Sequence, residues 1–300
     1  MKMNWRKVTI ILACVLLTVV AVFALLTSSI WYPGITPMQT AQILIKDYKF
    51  GWRGLGMAHF WGDAILVPLR KVSKDFTLLD HRSSFWVAEI LAKNGSTASL
   101  EMSLELYKRK RIYEKLVGAV GLAAHGKLPN EEFLPNGFIY DLLTNDKYIY
   151  KGAGIEKGTR DFADTSRVEL ALVVTKYARN EHSVLPIMAL IEKRPMLYMV
   201  HARACEALAE IGDRRAIPVL ESAMEADNFY ALPEAFRALT KLGDEKAIPL
   251  AIRRLSSEIK HKNSGFYVKC LVRELEAATG KSFGFDQEKW QKWWEKERAR

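Results

Sequence analysis

Ser257-Glu258-Ile259-Lys260 has the Ser-x-x-Lys spacing at which a lysine can assist a serine nucleophile in acyl transfer. The Ser-Asp-Asn and Lys-Thr-Gly elements that accompany it in such enzymes are missing, and no Gly-x-Ser-x-Gly elbow is present. Lys151-Gly152-Ala153-Gly154-Ile155-Glu156-Lys157-Gly158-Thr159 has the composition of a phosphate loop. Its order is Lys-Gly-Thr where that loop needs Gly-Lys-Thr, and no strand, turn and helix frame it. The histidines His59, His81, His125, His182, His201 and His261 lie far apart, none with a second ligand at a helical metal-binding spacing. They read as packed or surface side chains. Neither cofactor nor metal is expected, and no catalysis, although a triad assembled from distant positions leaves no local motif.

Charge gives a second set of candidates. The chain has 44 Lys and Arg against 34 Asp and Glu, a net charge of +10, compatible with an acidic protein, an anionic membrane or nucleic acid. Lys108, Arg109, Lys110 and Arg111 are consecutive, within a helical pattern running from Thr97 to His125. Four neighbours in a row point to all sides of a helix, so a solvated surface is the default and contact with lipid or polyanion the functional alternative.

The elements that position these residues are set by a repeat. Ala204, Ala207, Leu208, Ile211, Gly212, Asp213, Ala216, Ile217 and Pro218 recur as Ala235, Ala238, Leu239, Leu242, Gly243, Asp244, Ala247, Ile248 and Pro249, every pair 31 residues apart. The first four fall at i, i+3, i+4 and i+7, one helical stripe whose alanines admit a close neighbour. Gly212 supplies a left-handed end and Asp213 an acceptor for the first amides of the next helix. Pro218 belongs at the start or a bend of that second helix, since deep inside it a proline costs roughly 3 kcal/mol. A helix pair cannot bury its apolar side alone, so further units are expected.

Leu185-Pro186, preceded by Val168, Leu172, Thr175 and Lys176, supplies a third unit. Val87, Ile90, Leu91, Gly95, Ser99 and Leu100 align on Ala204, Ala207, Leu208, Gly212, Ala216 and Ile217 as a degenerate one. Val268, Leu271, Leu275 and Gly280 begin a last pair, closed by Asp286 to Glu297 with Trp290, Trp293 and Trp294 as a cap. In this register Cys270 corresponds to Leu208 two units earlier, so Cys205 and Cys270 should stand about 20 Å apart, too far for a disulfide. Cys14 is read as apolar filler.

This pattern resembles HEAT-type repeats of the variety found in phycobilisome lyases. The resemblance implies an all-α chain, a right-handed α-solenoid of stacked antiparallel helix pairs, with the second helix of each pair lining the inner curve. Those helices are expected at about residues 183–194, 214–226 and 245–259, and their solvent positions Lys193, Arg194, Glu221, Glu225, Arg253 and Arg254 form the candidate protein-binding surface. Lyase-like activity is the enzymatic alternative, but the resemblance covers the repeat and identifies no catalytic group.

Val8 to Leu26 contains nineteen residues without charge, Gly or Pro, enough for about 28 Å of helix. Trp5, Trp31 and Tyr32 flank it, and Lys2, Arg6 and Lys7 precede it. The expectation is one transmembrane signal anchor over residues 8–27, with the amino terminus cytoplasmic and the repeats extracytoplasmic, or a secreted protein if the segment is cleaved. The divisions read from the sequence are 1–7 cytoplasmic, 8–27 anchor, 28–62 juxtamembrane segment and cap, 63–143 degenerate repeats, 144–166 irregular insertion and 167–300 repeats with a Trp-rich cap. The function expected is a membrane-tethered scaffold for an unidentified protein partner. Nucleic-acid binding is the alternative, disfavoured by the location and by Glu221, Glu225 and Glu258 among the arginines.

Overall fold

The computed structural model describes residues 35–46, 55, 58, 60–76, 83–145, 162–193, 198–226, 228, 230–259 and 265–299. Among them all regular structure is helical. The α-helices are α1 (Pro37–Lys46), α2 (Leu66–Val72), α3 (Ser83–Asn94), α4 (Thr97–Tyr107), α5 (Ile112–Ala124), α6 (Phe138–Thr144) and α7 (Phe162–Ala178). There follow α8 (Val184–Lys193), α9 (Tyr198–Ile211), α10 (Ile217–Glu225), α11 (Leu232–Lys241), α12 (Ala247–Ile259), α13 (Gly265–Thr279) and α14 (Gln287–Arg298).

They form two rows. Helices α3, α5, α7, α9, α11 and α13 pack in that order along one side, and α6, α8, α10, α12 and α14 follow one another along the other. The first row has a shared stop signal: the residue that ends each helix is left-handed, at Gly95, Gly126, Arg179, Gly212, Gly243 and Gly280. Glycine adopts that conformation without steric cost, and at Gly95, Gly212 and Gly243 turning there brings the chain within a few residues into the partner helix, whereas Gly126 is followed by a longer join with its own 3₁₀ turn. The expected acceptors also work: Asp213 Oδ1 accepts from the Arg215 amide at 2.8 Å, and Asp244 Oδ1 from the Lys246 amide at 3.2 Å. Asn180 does the same for His182 at 2.9 Å. A short 3₁₀ turn precedes α8 and α10, and Pro218 lies in the first turn of α10, where its missing N–H is not needed.

The interior is continuous from α1 to α14, with Leu91, Leu172, Leu208, Leu239 and Trp290 all withdrawn from solvent. Asp286 caps α14 through the Lys289 amide, and Trp290 closes the stack by donating from Nε1 to the Gly284 carbonyl at 2.9 Å. Trp293 and Trp294 lie partly buried beside it. At the other end Trp61 Nε1 donates to Thr40 Oγ1 at 3.1 Å, joining α1 to the turn before α2.

Two expectations are corrected. The helical pattern from Thr97 to His125 is broken at residues 108–111, which form a tight turn between α4 and α5. The turn forms because α5 folds back against α4 at glycine: a Cβ on Gly118 would stand 2.3 Å from the Tyr107 nitrogen, and one on Gly121 would meet Ser103 Oγ at 2.0 Å. One straight helix would forfeit that burial. The other correction concerns location. Among the described residues no helix is long and apolar enough to cross a membrane, so the single-pass placement, with its extracytoplasmic repeats, is not supported and is withdrawn. The expected span over residues 8–27 lies outside the described residues, as do residues 1–7 and the greater part of the 144–166 insertion.

Candidate functional site

The second-row helices carry the charges expected to face a partner, and the structure joins these charges across layers. Arg253 Nη2 of α12 contacts Glu225 Oε1 of α10 at 2.6 Å. Arg254 donates from the same helix to the carbonyls of Glu225 and Ala226 at 3.5 and 3.2 Å, satisfying the carboxyl end of α10. Lys246 Nζ reaches Glu221 Oε1 at 3.0 Å. The four candidates Glu221, Glu225, Arg253 and Arg254 are thus brought together at the α10–α12 contact. Arg194 lies outside the described residues, as does the side chain of Lys193.

The first row is laced similarly, by residues that sequence reading missed. Glu206 of α9 takes Lys176 Nζ of α7 at 3.4 Å and Arg203 of its own helix at 3.0 Å. Burial opposes ionisation of Glu206, but Arg203 and Lys176 outweigh it and hold the carboxyl below the ordinary range. Glu210 binds Lys241 of α11 at 2.7 Å and Arg179, at the end of α7, at 3.2 Å, spanning three layers with one carboxylate. Glu169 has the opposite character. Burial pushes it up to about 7, and the charge of Arg203 only partly opposes this. The spacings of about one repeat, Lys176 to Glu206 and Glu210 to Lys241, are the signal that would have found these pairs.

The basic tetrad divides. Lys108 and Lys110 are exposed on the turn. Arg109 turns back to Asp75 at 2.9 Å and Glu105 at 2.7 Å, and Arg111 lies 3.5 Å from the buried Glu114. Two of the four cations therefore hold the turn in place.

A serine–histidine contact also occurs, between Ser99 Oγ and His125 Nε2 at 3.0 Å. Ser99 is fully buried and its hydroxyl also bonds to the Ser96 carbonyl at 2.9 Å, so a substrate carbonyl cannot reach it. Cys205 is buried, where its thiol is pushed up to about 12, first by desolvation, and Cys270 is free as well. No group of three or more metal-ligating side chains occurs among the described residues. Ser257-x-x-Lys260, the 151–159 segment, His59, His81, His261 and Cys14 fall on residues or side chains outside the described set.

The concave feature of interest lies on the border where first helices turn into second ones. A recess of about 480 Å³ opens between the turn after α7 and the turn after α9, lined by Asn130, Arg179 to His182 and Ile211 to Asp213. Asn180 bridges it to Asn130, donating from Nδ2 to Oδ1.

Residues 189–260 match the family model of HEAT repeats. The matched stretch runs from within α8 to the end of α12 and includes both copies of the 31-residue pattern. It does not distinguish the phycobilisome-lyase variety. No curated protein and no solved structure matches the chain.

Proposed function

We propose that the chain is a protein-binding scaffold without catalytic activity, wound as a right-handed superhelix whose second-row helices accept another polypeptide along their length. The reading rests on one observation: the stretch that matches HEAT repeats is the one in which successive helices, α8 to α12, alternate between the two rows. Repeat stacks expose an extended surface fixed by neighbour contacts, which suits a long, shallow interface better than an enclosed reaction site. Charges at Glu221, Glu225, Arg253 and Arg254 supply the polar part of that surface, and exposed pairs such as Arg253 with Glu225 are weak enough for a partner's charges to replace them. The polyanion alternative draws less support, because Arg109 and Arg111 of the basic tetrad are engaged by carboxylates of the same chain.

The test is a photo-crosslinking residue placed at exposed Ser222 of α10, compared with one at exposed Lys241 of α11 on the opposite row. A discrete crosslinked product from position 222 alone, weakened when Glu225 and Arg253 are both reversed in charge, is the expected result. Equal products from both positions, or none from 222, would refute the second-row surface.

A further inference from the structure

We infer that the turns after α2 and α4 together form a docking point for an acidic polypeptide segment of a partner. The two turns meet at one pair of residues. Arg109 donates from Nη2 to the Asp75 carboxylate at 2.9 Å and from Nη1 to the Asp75 main-chain carbonyl. Lys74, Asp75 and Phe76 are all left-handed, at φ 47°, 57° and 65°, and Phe76 is fully buried. Residues other than glycine hold that conformation only where the surroundings enforce it, so Arg109 and the Phe76 anchor fix how the two turns face each other.

Around this joint arginines take up the carboxylates and lysines are left over. Asp75 contacts Arg109 and lies 3.8 Å from Arg70. Glu105 contacts Arg70 and lies 2.7 Å from Arg109, while the buried Glu114 stands 3.5 Å from Arg111 and 3.8 Å from Arg109. Three guanidiniums thus balance three carboxylates. Lys71 follows Arg70 in the chain, and Lys108 and Lys110 flank Arg109. All three lysines are exposed, and no ion pair among the described residues uses them. Glu132, which accepts from the Tyr107 hydroxyl and the Phe138 amide, is offset by Lys115, 5.2 Å from the Tyr107 ring centroid. Glu101, exposed on the same stripe of α4 as Lys108, stands about 10 Å from it along the axis. That is beyond the ~8 Å over which exposed charges act at physiological salt, so a positive excess remains at a fixed joint.

The division of labour between the two cation types selects the partner's chemistry. Phosphate groups are gripped best by the planar fork of arginine, and here Arg70, Arg109 and Arg111 are all engaged by carboxylates of the chain itself. A nucleic acid would also bring a charge about every 1.7 Å against Asp75 and Glu105, whose side chains are 57 % and 42 % exposed among the lysines. Carboxylates spaced along a polypeptide can meet separated lysine ammonium groups and avoid those two acids. Such contacts are long-range and exposed, which gives fast, salt-sensitive capture rather than tight burial.

The test uses the full chain and a fluorescein-labelled peptide of repeated Glu-Asp-Gly units, followed by fluorescence anisotropy. Saturable binding is expected, weakening as sodium chloride is raised from about 50 to 300 mM, and none with the matching Gln-Asn-Gly peptide. Changing Lys71, Lys108 and Lys110 together to glutamine should weaken it about tenfold. The same loss of charge at exposed Lys269, Lys281 and Lys296, toward the opposite end of the stack, should leave it within about twofold, which separates a local surface from net charge. Circular dichroism checks that these exposed substitutions leave the helices intact. No saturable binding, an equal loss in both triple variants, or tighter binding of an oligothymidylate of the same net charge would each overturn the assignment. The docking point lies outside the second-row helices, so none of those outcomes alters the crosslink from Ser222.

Discussion

Between α4 and α5 the chain brings two helices together with glycine, whereas the buried small positions of α9 and α11 are alanine. Gly118 and Gly121 allow α5 to touch the backbone of Tyr107 and the hydroxyl of Ser103. Ala204 and Ala207 of α9 and Ala235 and Ala238 of α11 hold equivalent positions and are fully buried. The glycine solution gives closer approach but leaves no methyl group to bury and costs chain entropy. The alanine solution keeps helix propensity and repeats, because one methyl per contact tolerates the small variations of a stack. The amino-terminal layers are therefore shaped individually, and the carboxy-terminal ones by a rule.

Substitutions in the two regions can break that contrast, taken here from the largest expected effect. Phe236→Ala, in the regular part, removes a side chain that is 1 % exposed and should cost about 4 kcal/mol, read from urea unfolding by circular dichroism. Gly118→Ala should cost about 3 kcal/mol because backbone, not a movable side chain, occupies the space. The reciprocal change Ala207→Gly should cost only about 1 kcal/mol. If the two exchanges prove equal, glycine and alanine are interchangeable spacers and the contrast fails.

The pH response sharpens it within the first row. Glu169 is raised to about 7 by burial, so its folded value lies above its unfolded one. Its contribution is complete below the ordinary glutamate range and is lost as pH rises through about 7. Glu206 and Glu210 are lowered, the first against burial by Arg203 and Lys176, the second chiefly by the hydrogen bond from Lys241. Their contributions are present above the ordinary glutamate value and disappear as pH falls below it. The Glu169 contribution should therefore lower the melting temperature between about pH 4.5 and 7 and level off above, and Glu169→Gln should flatten that slope, whereas Glu206→Gln should not.

Smallest is the effect of the exposed clamp. Glu210→Gln should cost about 0.5 kcal/mol, and less in high salt. Arg179→Gly should be nearly neutral: it relieves a left-handed arginine but loses the contact with Glu210 and adds chain entropy. A loss above about 2 kcal/mol in melts of either variant would mean that this contact holds layers together as strongly as core packing does.

The repeat was legible because glycine, aspartate and proline state local backbone requirements that need no tertiary knowledge: Gly212, Asp213 and Pro218 stand where their types demand. The turn at 108–111 was not legible, since its cause is the fit of Gly118 against Tyr107, a contact that a helical pattern does not encode. Arg179 was hidden for a related reason, as its type gives no hint of a left-handed backbone; only its alignment with Gly212 does. The candidate charges were legible as surface residues, but not that Arg253 and Lys246 would be taken up by Glu225 and Glu221 of the neighbouring layer. The recess is still further from sequence reading, because it forms only where the turn at Arg179 to His182 stacks beside that at Ile211 to Asp213.

The uniform stops at Gly95, Gly126, Arg179, Gly212, Gly243 and Gly280 make the two long borders of the molecule unequal in what they tolerate. On the border they define, Arg179, Gly212 and Gly243 are each followed by a join of only a few residues, so in these layers an added residue would shift the next helix out of its row. The opposite border carries joins of differing length, from Lys193 to Tyr198, from Glu225 to Leu232 and from Ile259 to Gly265. That is the side on which peptide tags, reporter domains or new binding loops can be grafted.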